Sequence, residues 1–406
     1  MAFKSAISGL QAAQTDLNVI GNNVANANTT GFKRSRVEFQ DVFAVSNAGS
    51  TSNSTGRGVD TARVAQQFEQ GNISFTDSSL DLAVSGQGFF MLNDGGERLY
   101  TRDGAFGLDR DGFIVNSKNQ QLLAFGADAA GNVTGALSPL QLSQANNSPQ
   151  ASAAISIGAN LDANATPPPS APFDPNDANT YNDTTAMNIF DSQGGSHLIQ
   201  MYFVRTATAN EWEMHTVVNS TLPAVSGPDT LTFDPAGNLT VPATGDITIP
   251  AFTPTAGVNP VNLTVSVDQT TQFGAPFGVN LLTQDGFTTG RLAGIDIDRD
   301  GVILARFTNG QSAIQGQVAL ANFPNPQGLQ PVGSNNWAET FAAGIVLEGQ
   351  PGTASFGFIQ GGALEDSNVD LSSELVNLII AQRNFQANTE VISTADNVTQ
   401  SVINIR

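Results

Sequence analysis

The stretch LSSELVNLIIAQRNFQANTEVISTADNVTQSVINIR, residues 371–406, decides how the rest of the chain is read. Apolar or tolerated residues recur in it at three–four spacing: Leu371, Leu375, Leu378, Gln382, Phe385, Thr389, Ile392, Ala395, Val398, Val402 and Ile405. No proline follows Pro351, and Ser367 or Asn368 is placed to cap a helix start. The pattern predicts one long amphipathic helix, about 55 Å if fully formed. The first segment carries a matching stripe: Phe3, Ile7, Leu10, Gln14, Leu17 and Val24. It reads as a helix over 2–27 that fails near Asn26–Gly31, where Asn-Thr-Thr-Gly makes a turn. Two helices alone have too little core to stand. The expectation is a terminal coiled-coil layer with everything else inserted into it, and a surplus stripe left for self-association. That points to a structural subunit before any enzyme.

Composition narrows the class. Of 406 residues, 16 are Lys or Arg and 36 are Asp or Glu, a formal charge of -20. A general nucleic-acid binder needs a basic surface, so that role is set aside. There is no cysteine, which excludes disulfides, thiolate metal sites and cysteine nucleophiles, and suits an exported product made without staples. Residues 1–30 show spaced apolar positions but no continuous apolar core of a secretory signal. No run of 18 apolar residues exists, so membrane insertion by a helix is not expected. Proline is absent before Pro139, and 14 of the 19 lie between Pro149 and Pro276. Residues 146–284 hold 11 acidic residues against one basic, Arg205. The middle is thus a different material from the ends, and the chain reads as nested.

In order, the expected parts are these. Residues 1–30 and 364–406 form the terminal helical polymerisation domain. Within it Gly9 and Gly21 lower helix propensity or permit close approach, and Asn22, Asn23 and Asn26 offer amides to neighbouring chains or to backbone. Residues 31–71 and 358–363 form a connecting arm and hinge, holding the basic cluster Lys33, Arg34 and Arg36 and a Ser/Asn/Gly/Thr-rich loop at 46–58. The cluster reads as solvated linker or as a contact with acidic surface on another copy; an anionic lipid or nucleic acid is a third choice, weakened by the small size of a three-charge patch. Residues 72–145 and 285–357 form an inner β domain. Its signs are the run Phe89-Phe90-Met91-Leu92, the turn Asn93-Asp94-Gly95-Gly96, the strand Val318–Phe323, and the aromatics Trp337, Phe341, Phe356 and Phe358, expected in core or interface. Residues 146–284 form an outer β domain punctuated by proline. The fold class is α+β, multidomain and nested: a terminal coiled-coil layer plus two mainly β domains, barrel- or sandwich-like.

Chemistry is sparse. Asp296, Asp298, Asp300 and Gly301 begin like a calcium loop, but position twelve is Phe307 and the flanks read as strands. A hairpin turn capped by aspartate is the better reading, there and at Asp109–Gly112. His197 and His215 have no metal-ligand spacing. No phosphate loop and no nucleophile elbow is present. No catalytic residue, cofactor or metal is expected.

Two signatures then carry a resemblance. The run from Gly21 to Lys33, GNNVANANTTGFK, together with Ser8-Gly9-Leu10, resembles the N-terminal signature of the flagellar rod and hook axial subunits. Gly362–Leu371, GALEDSNVDL, and Gln382–Asn388, QRNFQAN, resemble the C-terminal one, and Leu82–Phe90, LAVSGQGFF, resembles the first β-domain motif. The long insert, Phe39-Gln40-Asp41 and the total length are similar to the hook branch. An enlarged distal-rod subunit is the alternative within the family. Leu375-Val376-Asn377-Leu378 departs from the aromatic- or threonine-containing form common there.

The resemblance implies export by the flagellar type III apparatus without signal cleavage and a homopolymeric curved tube outside the cell. That tube is a universal joint between rod and filament with a central export channel. Implied partners are the distal rod protein, the hook–filament junction protein, the hook cap and a length-control protein. The polymerisation interface would comprise Phe3, Ile7, Leu10, Leu17, Val24, Asn22, Asn23, Asn26, Leu371, Leu375, Leu378, Phe385, Ile392, Val398 and Val402. Lys33, Arg34 and Arg36 would be an intersubunit basic cluster. The rival class, a surface adhesin or ligand-binding protein, predicts a monomer or short oligomer with a specific pocket, where the subunit predicts an open helical polymer.

Overall fold

The computed structural model describes residues 2–42, 56–128, 131–143, 145–219 and 225–404. Most of the loop expected at 46–58 lies outside them, as do Ile405 and the side chain of Val402. The chain divides into two compact units. One is built from Met1–Gln144, Gly294–Arg306 and Ser312–Arg406, the other from Ala145–Ala293 and Phe307–Gln311. Both chain ends therefore belong to one unit and the middle of the chain makes the other.

The first unit contains the two long helices, α1 (Ala2–Ala25) and α2 (Leu371–Asn404). α1 stops where Asn26 folds its amide back onto the Asn22 carbonyl at 2.9 Å and Gly31 takes φ of 68°. α2 is capped by Asp370, not by Ser367 or Asn368: Asp370 accepts from the Ser373 amide at 2.6 Å. Asn368 is unavailable because its side chain is spent on backbone groups of the connecting arm.

The arm itself is an antiparallel hairpin, Ser35–Asp41 with Val59–Gln66, bulged between Glu38 and Phe39. Two further pairs bring the late chain onto the early one: Ile73–Phe75 with Ala363–Glu365, and Leu82–Ser85 with Phe358–Gly361. The main sheet of this unit runs Ser312–Val318, Gln121–Ala127, Phe89–Asp94, Glu97–Thr101, Asn336–Ala338, Gln330–Gly333. Its central strand is covered on both faces. Phe90 and Leu92 enter one core with Leu82, Val84, Leu122 and Val318, while Phe89 and Met91 enter another with Tyr100, Phe323 and Trp337. This explains a continuous apolar run where a half-exposed strand would alternate. Trp337 is buried among Phe68 and Phe89, whereas Phe341, expected in core or interface, stands fully in solvent in this chain.

The second unit packs two five-stranded sheets face to face. One is centred on Ala154–Asp162; the other runs Asp183–Phe190, Ser196–Arg205, Glu211–Val218, Ser226–Phe233, Leu239–Val241. Ile157, Leu161, Phe203, Trp212, Leu231 and Leu263 fill the space between. No closed barrel forms among the described strands, so the sandwich half of the expected description holds.

One turn recurs through both units. Asp109, Asp128, Asp191, Asp234 and Asp298 each cap an Asp-x-x-Gly turn. Their carboxylates accept the amide four residues on, at 2.8 to 2.9 Å. Gly112, Gly131, Gly194, Gly237 and Gly301 supply the positive φ. Of the aspartates that mimic a calcium loop at 296–301, Asp298 is spent on this turn and Asp296 on Arg306.

Candidate polymerisation interface

α1 and α2 run antiparallel. Gly9 lies against Asn388, where an added Cβ would sit 2.5 Å from the amide oxygen, while Phe3 shares a groove with Val391 and Val398. Gly9 thus permits close approach; Gly21 has nothing near it and no packing reason. The inward face of α1 is the series Ala6, Gly9, Ala13, Asp16, Ile20 and Asn23. Small residues let the helices approach and leave little apolar area between them. The inward face of α2 is Glu374, Leu378, Ala381, Phe385, Asn388, Ile392 and Ala395.

The predicted α1 stripe therefore lies one residue away from the seam inside the chain. Phe3 is 50% exposed and Ile7 37%; Leu10, Leu17 and Val24 are half-buried. On α2, Leu378, Phe385 and Ile392 turn toward α1 and are half-buried, while Leu371, Leu375 and Val398 are exposed at 48, 45 and 58%. Val376, Ile379, Ile380 and Val391 are exposed as well. Large aliphatic groups in this number are costly in water, at about 1.5–3 kcal/mol for each one left unburied.

The asparagines divide. Asn22 is exposed and Asn26 is held on its own helix. Asn23 is buried, donating to the Ser35 carbonyl at 2.8 Å and accepting from the Ser35 amide at 2.9 Å. It fixes the arm to α1 and is not open to another copy.

The basic cluster is also divided, and this corrects the expectation of a three-charge surface patch. Lys33 is buried: its Nζ donates to Glu365 Oε1 at 2.5 Å and to the Glu69 carbonyl at 2.8 Å. Arg34 reaches toward Glu374 at 3.9 Å and Arg36 pairs with Glu38 at 3.0 Å. Glu365, equally buried, also accepts from Arg102 at 3.0 Å and from the Gly71 amide at 2.8 Å. Arg102 donates on to the Gly86 carbonyl at 2.7 Å. Burial pulls the Lys33 ammonium below its usual range, opposed by Glu365; burial does the same to Arg102.

Around this triad Asn368 accepts from the Arg34 amide at 2.8 Å and donates to the carbonyls of Gln67 and Glu69. Gly31 passes so close to Arg102 that a Cβ would fall 2.6 Å from its carbonyl carbon. The join between the helices and the β strands is thus a hydrogen-bonded clamp, where the sequence reading placed a hinge. Sequence reasoning missed Glu365, Arg102 and Asn368 as its parts, although two of them stand inside the quoted signature.

Among the described residues no three His, Asp or Glu side chains gather as metal ligands, and no helix is long and apolar enough to cross a membrane. His197 is held by Asp191 at 2.8 Å, and His215 stacks on Phe173 with ring centres 4.3 Å apart.

Comparison with known proteins gives this arrangement its context. Four family models match along the chain. They are Flagella basal body rod protein over 3–33, Flagellar hook protein FlgE/F/G D1 domain over 83–163, Flagellar basal body protein FlaE D2 domain over 160–287, and Flagellar basal body rod FlgEFG protein C-terminal over 360–405. Flagellar hook protein FlgE of Salmonella typhimurium (strain LT2) is 38% identical over 415 residues, covering 100% of both chains. That of Escherichia coli (strain K12) is 37% identical over 417 residues, again covering 100% of both. The crystal structure of Helicobacter pylori flagellar hook protein FlgE2 shares the fold, with a TM-score of 0.53 at 16% identity over 72% of this chain and 100% of that one. With full-length identity of this order and rod, hook and basal-body models at both ends and in the middle, the chain belongs to the flagellar hook protein FlgE family.

Proposed function

We propose that this chain polymerises through its terminal helices into a curved, flexible tube outside the cell. The tube transmits torque from rod to filament and encloses an export channel. The observation that carries the reading is the uncovered apolar surface of the helix pair: Phe3, Ile7, Leu371, Leu375, Val376, Ile379, Ile380, Val391 and Val398 are all exposed in the single chain. A stripe on both helices needs more than one neighbour to cover it, which fits an open helical array through heterologous contacts. The protein works as a mechanical part without catalysis, cofactor or metal. Its partners are further copies of itself, the distal rod protein below, the hook–filament junction protein above, and transiently a hook cap, a length-control protein and the type III export apparatus.

In this reading the units are 1–30 with 364–406 for polymerisation, 31–71 with 358–363 as the connection, 72–145 with 285–357 as an inner shell and 146–284 as an outer shell. The clamp around Glu365 makes the connection stiff. Bending of the tube then comes from sliding between copies and from the proline-rich outer part, as each subunit cyclically shortens and lengthens along the tube's side. The test is truncation. Removing residues 1–30 or 364–406 should leave β-type circular dichroism intact and abolish sedimentable polymer. Tubes of normal appearance from either truncated chain would sink the proposal.

A further inference from the structure

One flank of α2 carries Val376, Ile380, Arg383, Ala387, Val391 and Val398, at intervals of three, four or seven residues. The four large aliphatic members are 45 to 58% exposed. Arg383 interrupts them. It is exposed and has no carboxylate within ion-pair distance among the described residues. When another helix covers this stripe, the guanidinium loses water, and a desolvated cation without a counter-charge opposes the contact.

Asp16 on α1 has the opposite need. It lies between Ala13 and Ile20 on the inward series, half-buried at a groove of about 270 Å³ that Asn377 and Ile380 of α2 also line. No hydrogen bond or cation reaches its carboxylate among the described residues. The two arginines on the same groove are engaged elsewhere, Arg34 toward Glu374 and Arg36 with Glu38. Burial alone pushes the Asp16 carboxyl up.

The helices' antiparallel register brings the two levels together. Gly9 meets Asn388, so Asp16, seven residues on, stands level with Ala381. Arg383 is two residues from that level, about 3 Å along the axis. It points away from α1, so it does not serve the Asp16 of its own chain. The other helix carboxylates without a cation, Glu390 and Asp396, lie about 10 and 20 Å further along. We propose that Arg383 of one copy pairs with Asp16 of a laterally adjacent copy displaced little along the axis, and that this pair sets the register of the helical layer. The inference rests on the polymer reading and adds to it the residues that choose one packing over its slipped alternatives.

The test is a charge exchange in the full-length chain, read as the critical concentration for tube formation by sedimentation and negative-stain microscopy. Circular dichroism serves as the fold control. Asp16→Asn and Arg383→Gln should each raise that concentration about tenfold, and Asp16→Arg and Arg383→Asp should each raise it further. Asp16→Arg combined with Arg383→Asp should restore it to within about threefold of the original. Folded single variants that assemble like the parent, or a folded double variant no better than the singles, would overturn the pairing while leaving the polymer reading intact. Absence of tubes from the parent chain would overturn the polymer reading, and the pairing with it.

Discussion

Lys33 and Glu365 lie 332 residues apart in the chain and form an ion pair at 2.5 Å with both side chains removed from solvent. The pair joins the N-terminal signature to the C-terminal one, and Arg102 adds a second cation from the β strands. Desolvating three charges is expensive, and the arrangement holds because Glu365 is also met by the Gly71 amide and Lys33 by the Glu69 carbonyl. Loss of one partner is then worse than loss of all.

Glu365→Ala strands two buried cations and should destabilise the unit that carries the helices by about 3–5 kcal/mol. Chemical unfolding of the full chain, followed by near-ultraviolet circular dichroism from Trp337, reads this directly. Replacing Lys33 by Met, Arg102 by Met and Glu365 by Leu together should recover most of the loss. A cost below about 1 kcal/mol for Glu365→Ala would mean that water enters the site freely.

Phe385 is the only aromatic on α2 and is half-buried on the face toward α1. Phe385→Ala should cost about 2 kcal/mol within one chain, less than the roughly 3–5 of a fully enclosed phenylalanine. Polymers should depolymerise faster on mild heating, measured by light scattering. An unchanged rate would place the ring against solvent or channel in the assembled state.

Much of this was legible in the chain, for reasons of period. Residues 371–404 form the expected helix because their pattern is helical throughout, and Phe89–Leu92 reads as a doubly covered strand because it does not alternate. The aspartate-capped turns at Asp109 and Asp298 are local chemistry and follow from four residues each. Lys33 was illegible because its partner is remote in sequence, and a buried lysine carries the same letter as a solvated one. The helix cap was misplaced because Ser, Asn and Asp all cap well, and only the folded arm shows that Asn368 is already occupied. The α1 stripe was found, yet the chain's own seam uses the smaller residues beside it, since Ala and Gly allow the close approach that Gly9 makes with Asn388.

The acidic middle of the chain bears on curvature. Residues 146–284 carry 11 acidic residues and one basic one. Deleting them should leave assembly in place and give straight or differently bent tubes. Repulsion between such surfaces is screened over about 8 Å near physiological ionic strength. Curvature of full-length tubes should therefore change between low and high salt, and that of the deleted form should change less. Loss of all assembly on deletion would put this segment into the load path.

Negative-stain electron microscopy of concentrated, purified full-length protein tests the central claim most directly. The account predicts hollow, curved tubes of uniform diameter that lengthen with concentration and disappear when residues 1–30 are removed. A monodisperse particle at every concentration, or closed rings of fixed size, would contradict it.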